Sequence, residues 1–74
     1  MEKTITKGQA EAFLKREGFP ELFFQKMDGL YYLCGGHEDA RINQKVERCL
    51  YVNRWSSMSF NVLKWKLAEL RGEL

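Results

Sequence analysis

Two aromatic-rich runs, Leu22-Phe23-Phe24-Gln25-Lys26-Met27 and Leu30-Tyr31-Tyr32-Leu33-Cys34, stand on either side of Asp28-Gly29. That dipeptide suits the two central positions of a type I′ turn, where both residues need φ > 0, so it predicts an antiparallel hairpin. A rival reading makes 20–28 a helix, with Pro20 at its first position, Glu21 in its first turn and Gly29 as its stop. The paired aromatics around the turn favour the hairpin. The choice governs the fold, because the helical reading turns the front of the chain into a helix-turn-helix followed by a strand or wing.

The flanking elements carry clearer signals. Thr6-Lys7-Gly8-Gln9 fits a capping box, with Thr6 as N-cap and Gln9 reaching back. Ala10, Phe13 and Leu14 then fall on one helical face. Gly18 suits the left-handed position after the helix, Phe19 can fold back onto Leu14, and Pro20 prevents continuation. This predicts a helix over 7–17. At the far end Phe60, Leu63, Leu67 and Leu70 form one apolar stripe, widened by Val62 and Trp65, with Ser56 or Ser57 as cap and Gly72 as stop. This predicts a helix over 58–71. Between them Gly35-Gly36-His37-Glu38-Asp39 reads as a loop. Within 46–55, Cys49-Leu50-Tyr51-Val52 has strand chemistry, yet Ile42, Val46, Cys49 and Leu50 also keep helical spacing, so a short helix either precedes that strand or replaces it. The expected architecture is α+β: helix, three-stranded antiparallel sheet, helix, with both helices on one sheet face.

A chain of 74 residues supports one domain, spanning 1–74, and must stabilise it with large side chains. Five Phe, three Tyr and two Trp supply them, and a 45% hydrophobic content excludes a disordered class. No apolar run approaches a membrane span, and Met1-Glu2-Lys3-Thr4-Ile5-Thr6-Lys7 lacks the apolar segment of a signal peptide. The expected compartment is the cytoplasm, with Cys34 and Cys49 reduced and behaving as small buried hydrophobes.

Candidate chemistry is sparse. His37 is the one histidine, set between Gly-Gly and two carboxylates, with no accompanying nucleophile motif, so it reads as an ordinary surface residue. Cys34 and His37 have the spacing of one end of a zinc site, but the far end offers Cys49 alone, and Glu47 or Asp39 would have to complete it. No phosphate-binding glycine loop is present. The expectation is a protein without metal or other cofactor.

Charge is distributed unevenly. Residues 1–40 carry five basic and seven acidic side chains, net −2, whereas residues 41–71 carry seven basic and two acidic, net +5. Arg41, Lys45, Arg48, Arg54, Lys64 and Lys66 are therefore the candidate phosphate contacts, the first four interleaved with Asn43, Tyr51, Asn53 and Trp55, the two aromatic rings offering stacking surfaces. On a regular strand, however, Cys49, Tyr51, Asn53 and Trp55 share one face while Arg48 and Arg54 take the other.

The element order is similar to that of double-stranded RNA-binding domains and of HicA-type toxins, a likeness of order alone. The toxins place a histidine at the start of their second strand; here that strand begins at Leu30 and His37 falls beyond its end. The RNA binders open their last helix on a lysine cluster, where this chain has Ser57-Met58-Ser59-Phe60. The reading that follows is a non-enzymatic binding module with nucleic acid as the preferred partner. The alternatives are a protein-interaction module, such as an inhibitor or regulator from a mobile element or a homodimer joined through its aromatics, and a small nuclease-like toxin using His37.

Overall fold

A computed structural model describes residues 3–47 and 49–73. Its elements are α1 (Lys7–Arg16), β1 (Leu22–Met27), β2 (Leu30–Gly35), α2 (Ala40–Val46), β3 (Leu50–Arg54), a single 3₁₀ turn (Trp55–Ser57) and α3 (Phe60–Leu70). The strands form one antiparallel sheet in the order β1-β2-β3. The hairpin reading of 22–34 therefore holds and the helical reading of 20–28 does not. Asp28 and Gly29 take φ of 53° and 77°, as the two-residue turn requires.

The first helix forms where its caps dictate. Thr6 Oγ1 accepts the Gln9 N–H at 3.2 Å, and Gln9 Oε1 accepts the Thr6 N–H at 2.9 Å. At the other end Gly18 N–H reaches the Lys15 carbonyl and Phe19 N–H the Leu14 carbonyl, the paired bonds of a Schellman ending. The last helix starts later than 58. Ser59, not Ser56 or Ser57, is its N-cap, accepting the Val62 N–H, because 55–57 form the 3₁₀ turn instead.

The segment that fitted both helix and strand is both. Ile42 and Val46 are the buried face of α2, capped by Asp39, and Cys49 then turns the chain through φ 58° into β3. The architecture is α+β, with three α-helices among the described residues rather than two, so α2 interrupts the strand order that resembled the RNA-binding and toxin families. All three helices bury against the same side of the sheet. Phe13 and Leu14 of α1, Val46 of α2, and Leu63, Leu67 and Leu70 of α3 join Leu22, Phe24, Tyr31 and Leu33 in one apolar cluster. Trp65 does not widen that stripe; it is 65% exposed. The Cα radius of gyration, 11.4 Å, matches the ~11 Å of a close-packed chain this long.

The two sheet edges differ. On β1 the Phe24 N–H, which faces away from β2, is accepted by Glu11 Oε2 at 2.9 Å, and Glu11 is itself paired with Lys7 at 3.1 Å. A carboxylate thus occupies an edge amide that would otherwise recruit another strand. Gly35 closes the opposite end of the hairpin: at φ 112° it lies so near the Glu21 carbonyl that a Cβ would collide with it.

Candidate functional site

Because every helix among the described residues packs on one side, none of them covers the other side of the sheet. Strand alternation puts Phe23, Gln25 and Met27 of β1 on that side, together with Leu30, Tyr32 and Cys34 of β2. On β3 a register shift opposite Tyr31 and Tyr32 changes the phase. Tyr51 pairs with Tyr32, and Arg54 pairs with Leu30, so Arg54 joins the Tyr51 face. The separation of Tyr51 from Arg54 expected of a regular strand is thereby corrected: one extra residue rotates the arginine across.

The open face is a grid of three rows. Met27, Leu30 and Arg54 cross the hairpin end; Gln25, Tyr32 and Tyr51 cross the middle; Phe23 and Cys34 cross the far end, where Cys49 completes the row. Phe23, Met27 and Tyr51 are 43%, 50% and 45% exposed. Tyr32 and Tyr51 meet edge to face with ring centroids 6.0 Å apart. Among the described residues, Arg54 is the one formal charge on the grid. An antiparallel sheet with one free face usually alternates polar residues onto it; here Gln25 and Arg54 stand among aromatic, Met, Leu and Cys side chains. Trp55 fastens the hairpin end beside the grid. Its N–H donates to the Gly29 carbonyl at 3.0 Å, its indole Nε1 to the Leu30 carbonyl at 2.9 Å, and Lys26 Nζ stands 4.5 Å from its ring centroid.

The six cations singled out in the sequence do not share this surface. Arg54 lies on it. Lys45 and Lys66 meet elsewhere, around the C-terminus of α3: Lys45 Nζ donates to the Glu69 and Leu70 carbonyls at 3.4 Å, and Lys66 Nζ pairs with Glu69 Oε2 at 3.3 Å. Cations gather at the end of a helix where unsatisfied carbonyls and the negative end of the dipole favour them. Arg71 is close by, donating to the Glu17 carbonyl at 2.8 Å with its guanidinium 5.0 Å from the Phe19 ring centroid. Arg41 lines the same small hollow as Lys45 and Arg71. Lys64 is exposed on α3, and Arg48 lies outside the described residues. Much of the positive charge in the second half therefore serves helix ends.

His37 is a structural residue rather than a loose surface one. Its Nδ1 accepts the Asp39 N–H at 3.0 Å, its own N–H donates to Asn43 Oδ1 at 3.1 Å, and its ring packs 5.1 Å from that of Phe19. It borders a cleft of about 380 Å³ with Glu21 and Glu38. Next to it, the Arg41 N–H accepted by the Asp39 carboxylate holds that carboxyl below its usual value. Cys34 and Cys49 are joined in a disulfide with Cα atoms 4.4 Å apart, which corrects the expectation of two reduced thiols and leaves neither as the thiolate a zinc site needs. Among the described residues, no helix is long and apolar enough to cross a membrane.

Phe23, Met27 and Tyr32 were not legible as site residues from charge, because they lie in the acidic half of the chain. The signal that marks them is the apolar character of both alternating faces of the hairpin. No family model, no curated protein and no solved structure matches the chain.

Proposed function

We propose that this chain is a non-enzymatic binding module that docks a protein partner on its open sheet face. The observation that carries the reading is the composition of the grid: aromatic, Met and Leu side chains with Arg54 as its formal charge. Protein interfaces are enriched in aromatics, Met and Arg and depleted in Lys, Glu and Asp. Three strands at about 4.8 Å spacing and about 3.3 Å per residue give a footprint of about 14 by 17 Å. That is well under the ~800 Å² per partner of a standard interface. The footprint fits a short apolar segment of another protein better than a whole second copy of the chain. The proposed compartment is the cytoplasm.

A second reading, single-stranded nucleic acid, is favoured by one arrangement. Phe23, Tyr32 and Tyr51 place one ring on each of three adjacent strands, Tyr32 and Tyr51 side by side and Phe23 one row away, with Arg54 two strands from Met27 along the hairpin end. Rings set this way are a stacking platform for successive bases.

One experiment separates the two. A partner captured on the wild-type domain is purified and titrated against Phe23→Ala, Tyr51→Ala and Lys64→Ala, in parallel with single- and double-stranded RNA and DNA at low and physiological salt. The protein reading expects each aromatic substitution to weaken the partner tenfold or more, Lys64→Ala to leave it unchanged, and affinity to vary little with salt. Micromolar nucleic-acid binding that falls steeply with salt and is lost in Arg54→Glu establishes the second reading in its place. Self-association of the free domain, abolished by Tyr51→Ala, replaces both with a homodimer.

A further inference from the structure

We propose that Cys34–Cys49 is a reversible thiol–disulfide site, opened by a monothiol of the glutathione class, whose state sets the conformation of β3. The site stands whichever partner the sheet face receives.

The bond lies at the margin of the core, with Cys34 itself buried. Neither cysteine belongs to the apolar cluster that joins the helices to the sheet. The bond crosses between neighbours already paired by backbone, since Leu33 and Leu50 are register partners one residue away. The helices are therefore expected to keep their packing on β1 and β2 when the sulfurs part, the change falling on β3. The bond is also reachable from one side. Cys34 is 3% exposed, whereas Cys49 is half-buried in the turn between α2 and β3.

Cys49 is the residue that converts the bond into a change of shape. It holds φ 58°, a left-handed conformation that a non-glycine residue adopts only where its surroundings impose it. Two features impose it here: the Cys49 N–H bound to the Val46 carbonyl at 3.1 Å, and the disulfide to the central strand. Without the disulfide, only the bond to the Val46 carbonyl holds residue 49 left-handed, which lets it relax toward extended or right-handed backbone. Leu50 and Tyr51 follow at once, so relaxation there re-aims the start of β3 and the Tyr51 ring against Tyr32.

The chemistry is ordinary exchange. A thiolate attacks Cys49 Sγ in line with the S–S bond. The new sulfur–sulfur bond forms to Cys49, the old one breaks, and its electron pair leaves on Cys34 Sγ, which takes up a proton. A second thiolate attacks the outer sulfur of the mixed disulfide and expels Cys49, which is protonated in turn. Two monothiols become one disulfide, and the two cysteines gain two electrons and two protons. Oxidised glutathione runs the sequence backwards.

The test uses the whole 74-residue chain, isotopically labelled, in buffers of reduced and oxidised glutathione near neutral pH without denaturant. The bond is expected to open and reclose reversibly. Amide signals of 49–54 and Tyr32 should shift between the two states while those of Phe24, Leu63 and Leu67 stay in place. Cys34→Ser should trap one glutathione on Cys49, and Cys49→Ser should leave Cys34 unmodified over the same period. A bond that opens only in denaturant, a chain that unfolds on reduction, thiols that do not re-pair in oxidised glutathione, or an adduct that forms first on Cys34 each overturns the proposal. The wild-type exchange needs no substitution, so it decides the matter even where a serine variant fails to fold.

Discussion

Asp39 closes two bonds, one through its carboxylate and one through its backbone N–H. It accepts the Arg41 N–H at 2.9 Å to start α2, and its own N–H donates to His37 Nδ1, so the loop from Gly36 to the helix is closed on itself. The Arg41 N–H is the largest cause of the depressed Asp39 pKa, with a smaller contribution from the Ile42 N–H and from nearby positive charge. A carboxyl whose folded value lies below its unfolded value near 4 contributes stability that is complete above the unfolded value. That contribution is lost as pH falls through the folded value. In an NMR titration the Arg41 and Ile42 amide signals should therefore stay constant above about pH 5 and move together in the acid range below about 4. In Asp39→Asn, which keeps an acceptor but has no proton to gain, this movement should vanish. Amides that titrate unchanged in Asp39→Asn would overturn the assignment to Asp39.

At the scale of elements, the final helix supplies Leu63, Leu67 and Leu70 to the core. Leu67 is 1% exposed at the middle of α3, between Leu63 and Leu70. Leu67→Ala is expected to cost ~2–5 kcal/mol, read as a lowered midpoint in urea at unchanged slope; a shift within error of wild type would mean that α3 is turned the other way. What sequence reasoning reached, it reached through local chemistry. Thr6 with Gln9, Gly18 with Phe19 and Asp28 with Gly29 each write their backbone geometry within four residues, and all three took the expected form. The misses depended on contacts between distant segments. Ile42, Val46, Cys49 and Leu50 satisfy two periodicities, and packing on the sheet decides where α2 ends and β3 begins. Ser59 replaces Ser57 as cap because the Met58 N–H bonds back to the Trp55 carbonyl and Met58 is fully buried, which delays the helix. The register shift that brings Arg54 beside Tyr51, and the pairing of Cys34 with Cys49, depend on how β3 is laid against β2. No short stretch of sequence encodes that.

The described residues form two layers, helices over a sheet, and one apolar cluster draws on five of their six helices and strands, with Leu50 and Val52 of the sixth, β3, packed at its margin. One shared core implies one transition: loosening the hairpin exposes Phe24 and Tyr31, and these are the surfaces on which α1 and α3 rest. The two tryptophans make this testable, because they report from opposite situations. Trp65 is 65% exposed on the outside of α3, whereas Trp55 is tied to Gly29 and Leu30 at the hairpin end under Lys26. Removing the first should cost almost nothing, so Trp65→Phe is expected to unfold within about 0.5 kcal/mol of wild type. Trp55 then becomes the one fluorescent indole, and its signal follows the end of the sheet farthest from the disulfide. In a chain that unfolds as a unit, the Trp55 transition and the far-ultraviolet circular dichroism transition superimpose in both temperature and denaturant. If Trp55 is released first, the hairpin end opens while the helices remain packed. The open face would then lose its Met27–Leu30–Arg54 row before the fold is lost, and a partner that needs that row would dissociate well below the melting point.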